Sequence, residues 1–128
     1  MAEKYLVEVD DVGTYWYAWP GEERKLHRLD GPAIEYSDGS KFWYQNDQLH
    51  RLDGPAVEPS EGFREWRQNG LLHRVDGPAV IGEDGTEEYW LNDVQHTEES
   101  WRTATQPVVE MTIADIEAVL GKRIKIVK

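Results

Sequence analysis

Cysteine is absent from this chain of 128 residues. That excludes disulfides and thiolate metal sites, and it makes a reducing cytoplasm the expected compartment, a host cytoplasm if the chain is phage-encoded. Long apolar runs are absent too, so no membrane-spanning role is expected. The opening MAEKYLVEVDD lacks the apolar stretch of a signal peptide. Basic residues are scarce, 14 Lys and Arg against 25 Asp and Glu, for a net charge of −11. Residues 1–25 hold three basic and six acidic groups (−3), residues 26–94 hold six and 14 (−8), and residues 95–128 hold five of each. An acidic surface repels nucleic-acid backbones and anionic lipid, so direct nucleic-acid binding and membrane attachment are not expected, whereas a basic protein partner fits. The same charge helps keep an aromatic-rich chain in solution. Phe is rare at two residues, yet there are six Trp and six Tyr. Those side chains join a large apolar body to a polar tip and suit half-wet sheet faces.

What is present is a repeat. LHRLDGPA begins at Leu26 and again at Leu49, and LHRVDGPA begins at Leu72. The four histidines, His27, His50, His73 and His96, are each 23 residues apart. Residues 1–25 read as a degenerate first unit, followed by units 26–48, 49–71 and 72–94. Residues 97–128 read as a helix-plus-strand cap. Within a unit, Ala33-Ile34-Glu35-Tyr36 reads as a strand, Asp38-Gly39 as a hairpin turn, Lys41 to Gln45 as the return strand, and Asn46-Asp47 as a second turn. Tyr5–Val9 and Thr14–Tyr17 read as the strands of the first unit. The expected fold is therefore mainly β, a single-sheet antiparallel meander of hairpins in residues 1–96. Thr97 and Thr112 are expected helix N-caps, Ile113 to Leu120 a helix ended by Gly121, and Arg123 to Val127 a final strand. The helix would cover the open face of the meander and the strand would pair its edge. Self-association through such an edge stays open.

Aligning the units predicts which side chains are buried. Ile34, Val57 and Val80 are always β-branched, Leu26, Leu49 and Leu72 identical, Leu29, Leu52 and Val75 always aliphatic, and Trp43, Trp66 and Tyr89 always aromatic. These columns are expected to form the buried face. The varied columns Phe42, Glu65, Glu88 and Tyr44, Arg67, Trp90 are expected to face solvent.

Trp66 followed by Asn69-Gly70-Leu71-Leu72-His73 resembles the core of a MORN repeat, a 23-residue β-hairpin unit. The resemblance covers roughly residues 26–96. It departs where that family has Gly after the His, since Arg28, Arg51 and Arg74 stand there. In this the chain is similar to variant repeats of bacterial antitoxin-like proteins and small phage-encoded proteins. The resemblance implies an antiparallel hairpin array and a scaffolding or binding role rather than an enzymatic one. By analogy it implies a small acidic protein that binds and inhibits a host protein. Lipid binding, proposed for some members of the family, runs against the acidic repeats.

Two candidate surfaces follow. Tyr15, Trp16, Tyr17, Trp19, Phe42 and Tyr44 could form an exposed aromatic patch for a protein partner. Alternatively, His27, Arg28, His50, Arg51, His73 and Arg74, with the Trp column, could line a groove for a nucleotide-like anion. A metal is not expected, because equivalent histidines lie two strand spacings apart, roughly 10 Å, too far to share an ion. The histidines are expected to close turns or to pack beside the next Trp, the arginines and aspartates to pair between units, and Asp30, Asp53 and Asp76 to bond turn backbone. There is no Gly-rich phosphate loop, nucleophile elbow or His-Glu-x-x-His, and Ser37, Ser40, Ser60 and Ser100 lack a His–Asp context. No catalysis and no cofactor are expected.

Overall fold

The structure, a computed structural model, describes residues 4–20, 22–106 and 112–121. It is mainly β. The long hairpin β1 (Tyr5–Val9) and β2 (Gly13–Ala18) opens the chain. Shorter strands follow: β3 (Ile34–Tyr36), β4 (Lys41–Phe42), β5 (Tyr44–Gln45), β6 (Gln48–Leu49), β7 (Val57–Glu58), β8 (Arg64–Glu65), β9 (Arg67–Gln68), β10 (Leu71–Leu72) and β11 (Val80–Ile81). Next come β12 (Glu87–Leu91) and β13 (Val94–His96), followed by helices α1 (Glu98–Thr105) and α2 (Ile113–Leu120). Nine strands form one open antiparallel sheet in the order β1-β2-β3-β4-β7-β8-β11-β12-β13. The expected single meander is corrected in one respect: β5–β6 and β9–β10 are separate two-stranded hairpins. The return strand breaks at Trp43 and again at Trp66, where the indole-bearing residues donate their N–H groups to Ala56 and Ala79 carbonyls.

The turns follow from local chemistry. Asn46 and Asp47, Asn69 and Gly70, and Asn92 and Asp93 all have positive φ, the two-residue turn whose twist matches flanking strands. Asp is accepted in the second place because it bonds across the sheet. Leu26 N–H donates to Asp47 Oδ1 (3.1 Å), and Leu72 N–H to Asp93 Oδ1 (3.0 Å). His27, His50 and His73 accept through Nδ1 from the backbone N–H of Asn46, Asn69 and Asn92, at 3.0, 2.9 and 3.1 Å. Each His therefore closes a turn 19 residues ahead. Carbonyls of Leu26, Leu49 and Leu72 take the N–H groups of Asp47, Gly70 and Asp93, all at 2.8 Å.

The register overturns the expected division of faces. Directly paired residues share a face of a sheet. Glu8 pairs with Tyr15, Tyr15 with Ile34, Ile34 with Phe42, and Phe42 with Val57. Val57 pairs with Glu65, Glu65 with Val80, and Val80 with Glu88. The column expected in solvent and the column expected in the core thus form one transverse row. Glu65 is half-buried there because Arg67 Nε donates to it at 2.6 Å. A second correction concerns Leu29, Leu52 and Val75, which are 54%, 75% and 58% exposed rather than buried. Trp43, Trp66 and Tyr89 are half-buried. Among the described residues the tightly buried groups are few: Ala33, Ala56 and Ala79 are wholly enclosed, and Ser40, Ile34, Val57 and Trp101 nearly so.

Both helices begin at the expected caps. Thr97 accepts from Ser100 N–H, and Thr112 forms a capping box with Asp115. Among the described residues, the contacts that close the end of the sheet come from α1. Its Trp101 ring lies 4.8 Å from Tyr89, and its Nε1–H donates to the Arg74 carbonyl at 2.8 Å. His96, which has no following turn to close, lies with Nδ1 2.7 Å from Ser100 Oγ. Ile113 and Val119 of α2 are 43% and 73% exposed. The strand expected at Arg123–Val127 lies outside the described residues.

Candidate functional site

The six aromatic residues singled out in the sequence do not form one patch. Side chains alternate between faces along β2, so Tyr15 and Tyr17 share the face of the transverse row and Trp16 faces the other way. On the row face Tyr36 meets Tyr15 edge-to-face at 6.2 Å and Phe42 at 5.7 Å. Tyr36 was not singled out in the sequence, and it joins the two residues that were. Tyr15, Tyr36 and Phe42 are half-buried, and partial burial pushes the Tyr15 phenol above its ordinary range. Tyr44 lies past the break, in β5, opposite Leu49, where burial likewise raises its phenol. Arg24 sits 5.5 Å over the Tyr17 ring. Trp19 is in the loop after β2 and is 57% exposed.

On the opposite face the arginines have a structural role. The guanidinium of Arg28 stacks 3.8 Å from the Trp16 ring centre, Arg51 3.8 Å from Trp43, and Arg74 4.0 Å from Trp66. Each Nε donates to the aspartate two residues on, Asp30, Asp53 or Asp76, at 2.9–3.0 Å. Each Nη1 donates to the carbonyl of Pro32, Pro55 or Pro78, at 3.2, 3.1 and 3.0 Å. Arg28 and Arg51 also reach Glu35 and Glu58. The other side of each guanidinium lies against a glycine. A Cβ built on Gly31, Gly54 or Gly77 would stand 2.7–2.8 Å from the arginine Cζ. The sequence HRxDGPA is thereby accounted for: His closes a turn, Arg covers the tryptophan, Asp orients Arg, Gly leaves room for it, Pro supplies a carbonyl, and Ala fits a site with no exposed surface. The pairing expected between units is corrected, since Arg and Asp pair within one motif, and the aspartates bond Arg rather than mainly turn backbone.

Of the proposed anion groove, His50, Arg28 and Arg51 do meet beside Trp43, and His73, Arg51 and Arg74 meet beside Trp66. His27 is buried against its turn. The arginine side chains are 17–21% exposed and already hold carboxylates. Asp53, held below the usual carboxylate range by the Arg51 hydrogen bond and charge, stays anionic. Arg28 with Asp30 and Glu35, and Arg51 with Asp53 and Glu58, each sum to −1. What the grooves present outward is aspartate and aliphatic side chain, and the constancy of Leu29, Leu52 and Val75 was the signal that could have found it. Among the described residues no group of three or more His, Asp or Glu is placed to hold a metal, and no helix is long and apolar enough to cross a membrane. In comparison with known proteins, no family model, no curated protein and no solved structure matches this chain.

Proposed function

We infer that this chain is a non-catalytic protein-binding module, an acidic array of MORN-like repeats that acts by occupying a basic surface of a partner protein, with inhibition of that partner as the outcome. The observation that carries the reading is the edge-to-face cluster Tyr15–Tyr36–Phe42, half-exposed on an open sheet and flanked in its own row by Glu8 and Glu65. Aromatic anchors concentrate interface energy, and the net charge of −8 over residues 26–94 steers a basic partner. Tyr17 and Tyr44 extend the surface; Trp16, lying under Arg28, does not belong to it. The rival reading, a nucleotide-like anion held by the His/Arg/Trp groove, is weakened by the carboxylates that already neutralise Arg28 and Arg51.

The test is a partner captured from lysate and then measured with purified variants. Phe42→Ser with Tyr44→Ser should raise the dissociation rate at least about tenfold, a loss of about 1.4 kcal/mol. Added salt should slow association. Unchanged dissociation in that double variant, with competition by millimolar nucleoside triphosphate, would replace this reading with the anion groove.

A further inference from the structure

Among the described residues, no side-chain hydrogen bond or ring contact accounts for the recurring exposed aliphatic residue. Arg, Asp, Gly, Pro and Ala of each motif are accounted for by contacts, but Leu29, Leu52 and Val75 stand more than half in solvent. Single exposed aliphatics are ordinary. These three are not scattered: Leu29 and Leu52 line the groove beside Trp43, and Leu52 and Val75 line the next groove, beside Trp66. Next to each stands an aspartate whose side chain is 73%, 88% or 82% exposed. The result is a ridge of alternating aliphatic knobs and grooves edged with exposed aspartates, and the first two motifs, with Glu35 and Glu58, each carry a net charge of −1. It lies on the side of the sheet where Trp43 and Trp66 are, opposite the aromatic cluster.

The spacing of the ridge follows from the topology. Each 23-residue interval adds two strands to the long sheet, so successive knobs are separated by two strand spacings, roughly 9.5 Å. An α-helix returns a residue to the same face every seven positions, roughly 10.5 Å along its axis. Its heptad places two apolar residues on that face per repeat. One can rest on a knob while the other enters the adjoining groove. A polyproline helix also has a matching period, three residues in roughly 9.3 Å, but it offers one residue per period on that face, which leaves the grooves empty. Aspartates beside the knobs call for Lys or Arg flanking the apolar stripe.

We propose that the Leu29–Leu52–Val75 ridge, with Asp30, Asp53 and Asp76, docks a basic amphipathic α-helix of a partner protein with a seven-residue apolar repeat. This goes beyond the aromatic reading because it concerns the opposite surface and can fail independently of it.

The test uses a fluorescein-labelled peptide of about three heptads, with Leu at a and d and Lys at e and g. Anisotropy is measured against the full chain. Of two controls, one keeps its composition and re-spaces the apolar residues off the heptad, and the other is a Leu-Pro-Lys repeat. The heptad peptide should bind saturably, and both controls should bind at least about tenfold more weakly. Leu29→Ser, Leu52→Ser and Val75→Ser together should weaken the heptad peptide by at least about tenfold while the melting temperature holds, since these side chains are exposed. Val94→Ser, at an equally exposed aliphatic off the ridge, should leave binding unchanged. Absence of saturable binding, equal binding of the re-spaced control, tighter binding of the proline peptide, or full binding by the folded triple variant would each overturn the proposal.

Discussion

Substituting Gly54 by Ala gives the sharpest prediction, because the structure sets both its size and its sign. A Cβ on Gly54 would meet Arg51 Cζ at 2.7 Å and Nη1 at 2.9 Å. Something must move, and the guanidinium is the free end. It can move only by leaving the Trp43 ring at 3.8 Å, the Asp53 carboxylate at 2.9 Å and the Pro55 carbonyl at 3.1 Å. The stacking contributes about 1 kcal/mol at a half-buried site, and the bond to the carbonyl about 1.5 kcal/mol. The Asp53 pair contributes under about 1 kcal/mol because the carboxylate is so exposed. Arg51→Ala should therefore cost about 2–4 kcal/mol, and Gly54→Ala no more than that. Gly54 has no positive φ, so without Arg51 in the way an alanine should stabilise by about 0.4–1 kcal/mol through the unfolded chain. Gly54→Ala should thus destabilise the native protein and be neutral or stabilising in the Arg51→Ala background. Urea melts of the four proteins of this cycle measure it, since a slope of about 2 kcal/mol/M turns these costs into midpoint shifts of about 1–2 M. Additive costs would refute the stacked-guanidinium account.

Three further predictions follow from the same contacts. His50→Phe should cost about 1 kcal/mol and speed amide exchange at Asn69, whose N–H donates to His50 Nδ1; unchanged protection at Asn69 would count against the turn-closing role. Trp101→Ala should cost about 3–5 kcal/mol, and Trp101→Phe about 1 kcal/mol through loss of the bond to the Arg74 carbonyl. Native-like melting of Trp101→Phe would contradict that bond. In acid, the depressed carboxyls of Asp53, Asp38 and Asp84, held down mainly by hydrogen bonds from Arg51, Ser40 and Thr86, contribute stability that is present above the unfolded aspartate value of about 3.9. It is lost as pH falls through their lower folded values. Urea midpoints should hold from about pH 5 to 7 and fall below about pH 4, less steeply in Asp53→Asn; a decline setting in near neutrality would contradict the assignment.

The turns were legible in the sequence because they rest on local backbone chemistry. Asn46-Asp47 and Asn69-Gly70 form turns with positive φ at both positions, Asp38-Gly39 forms its turn with positive φ at Gly39, and the helix caps at Thr97 and Thr112 are in place. Register was not legible. Strands of two residues, broken at Trp43 and Trp66, do not sustain an alternation long enough to assign a face. Variation in the Phe42, Glu65, Glu88 column points to exposure, yet Glu65 is drawn in by Arg67 and Glu88 accepts from Gln95. Constancy of the Leu29 column points to burial, yet all three of its side chains are more than half exposed. The arginine stacking is visible in the sequence only as a recurring string, because nothing in a linear pattern shows which ring an arginine eight or twelve residues further on will cover. Tyr36, the ring linking Tyr15 to Phe42, entered the aromatic cluster through pairing of β2 with β3.

The central claim is that the recurring arginines build the fold and leave binding to other surfaces. Nitrogen-edited NMR of the arginine Nε–H groups tests this directly, with inorganic triphosphate and ATP as titrants. Arg28, Arg51 and Arg74 should give three slowly exchanging signals that both titrants leave in place. Fast-exchanging signals, or saturable shifts of these three with ATP, would contradict the account and restore the anion groove.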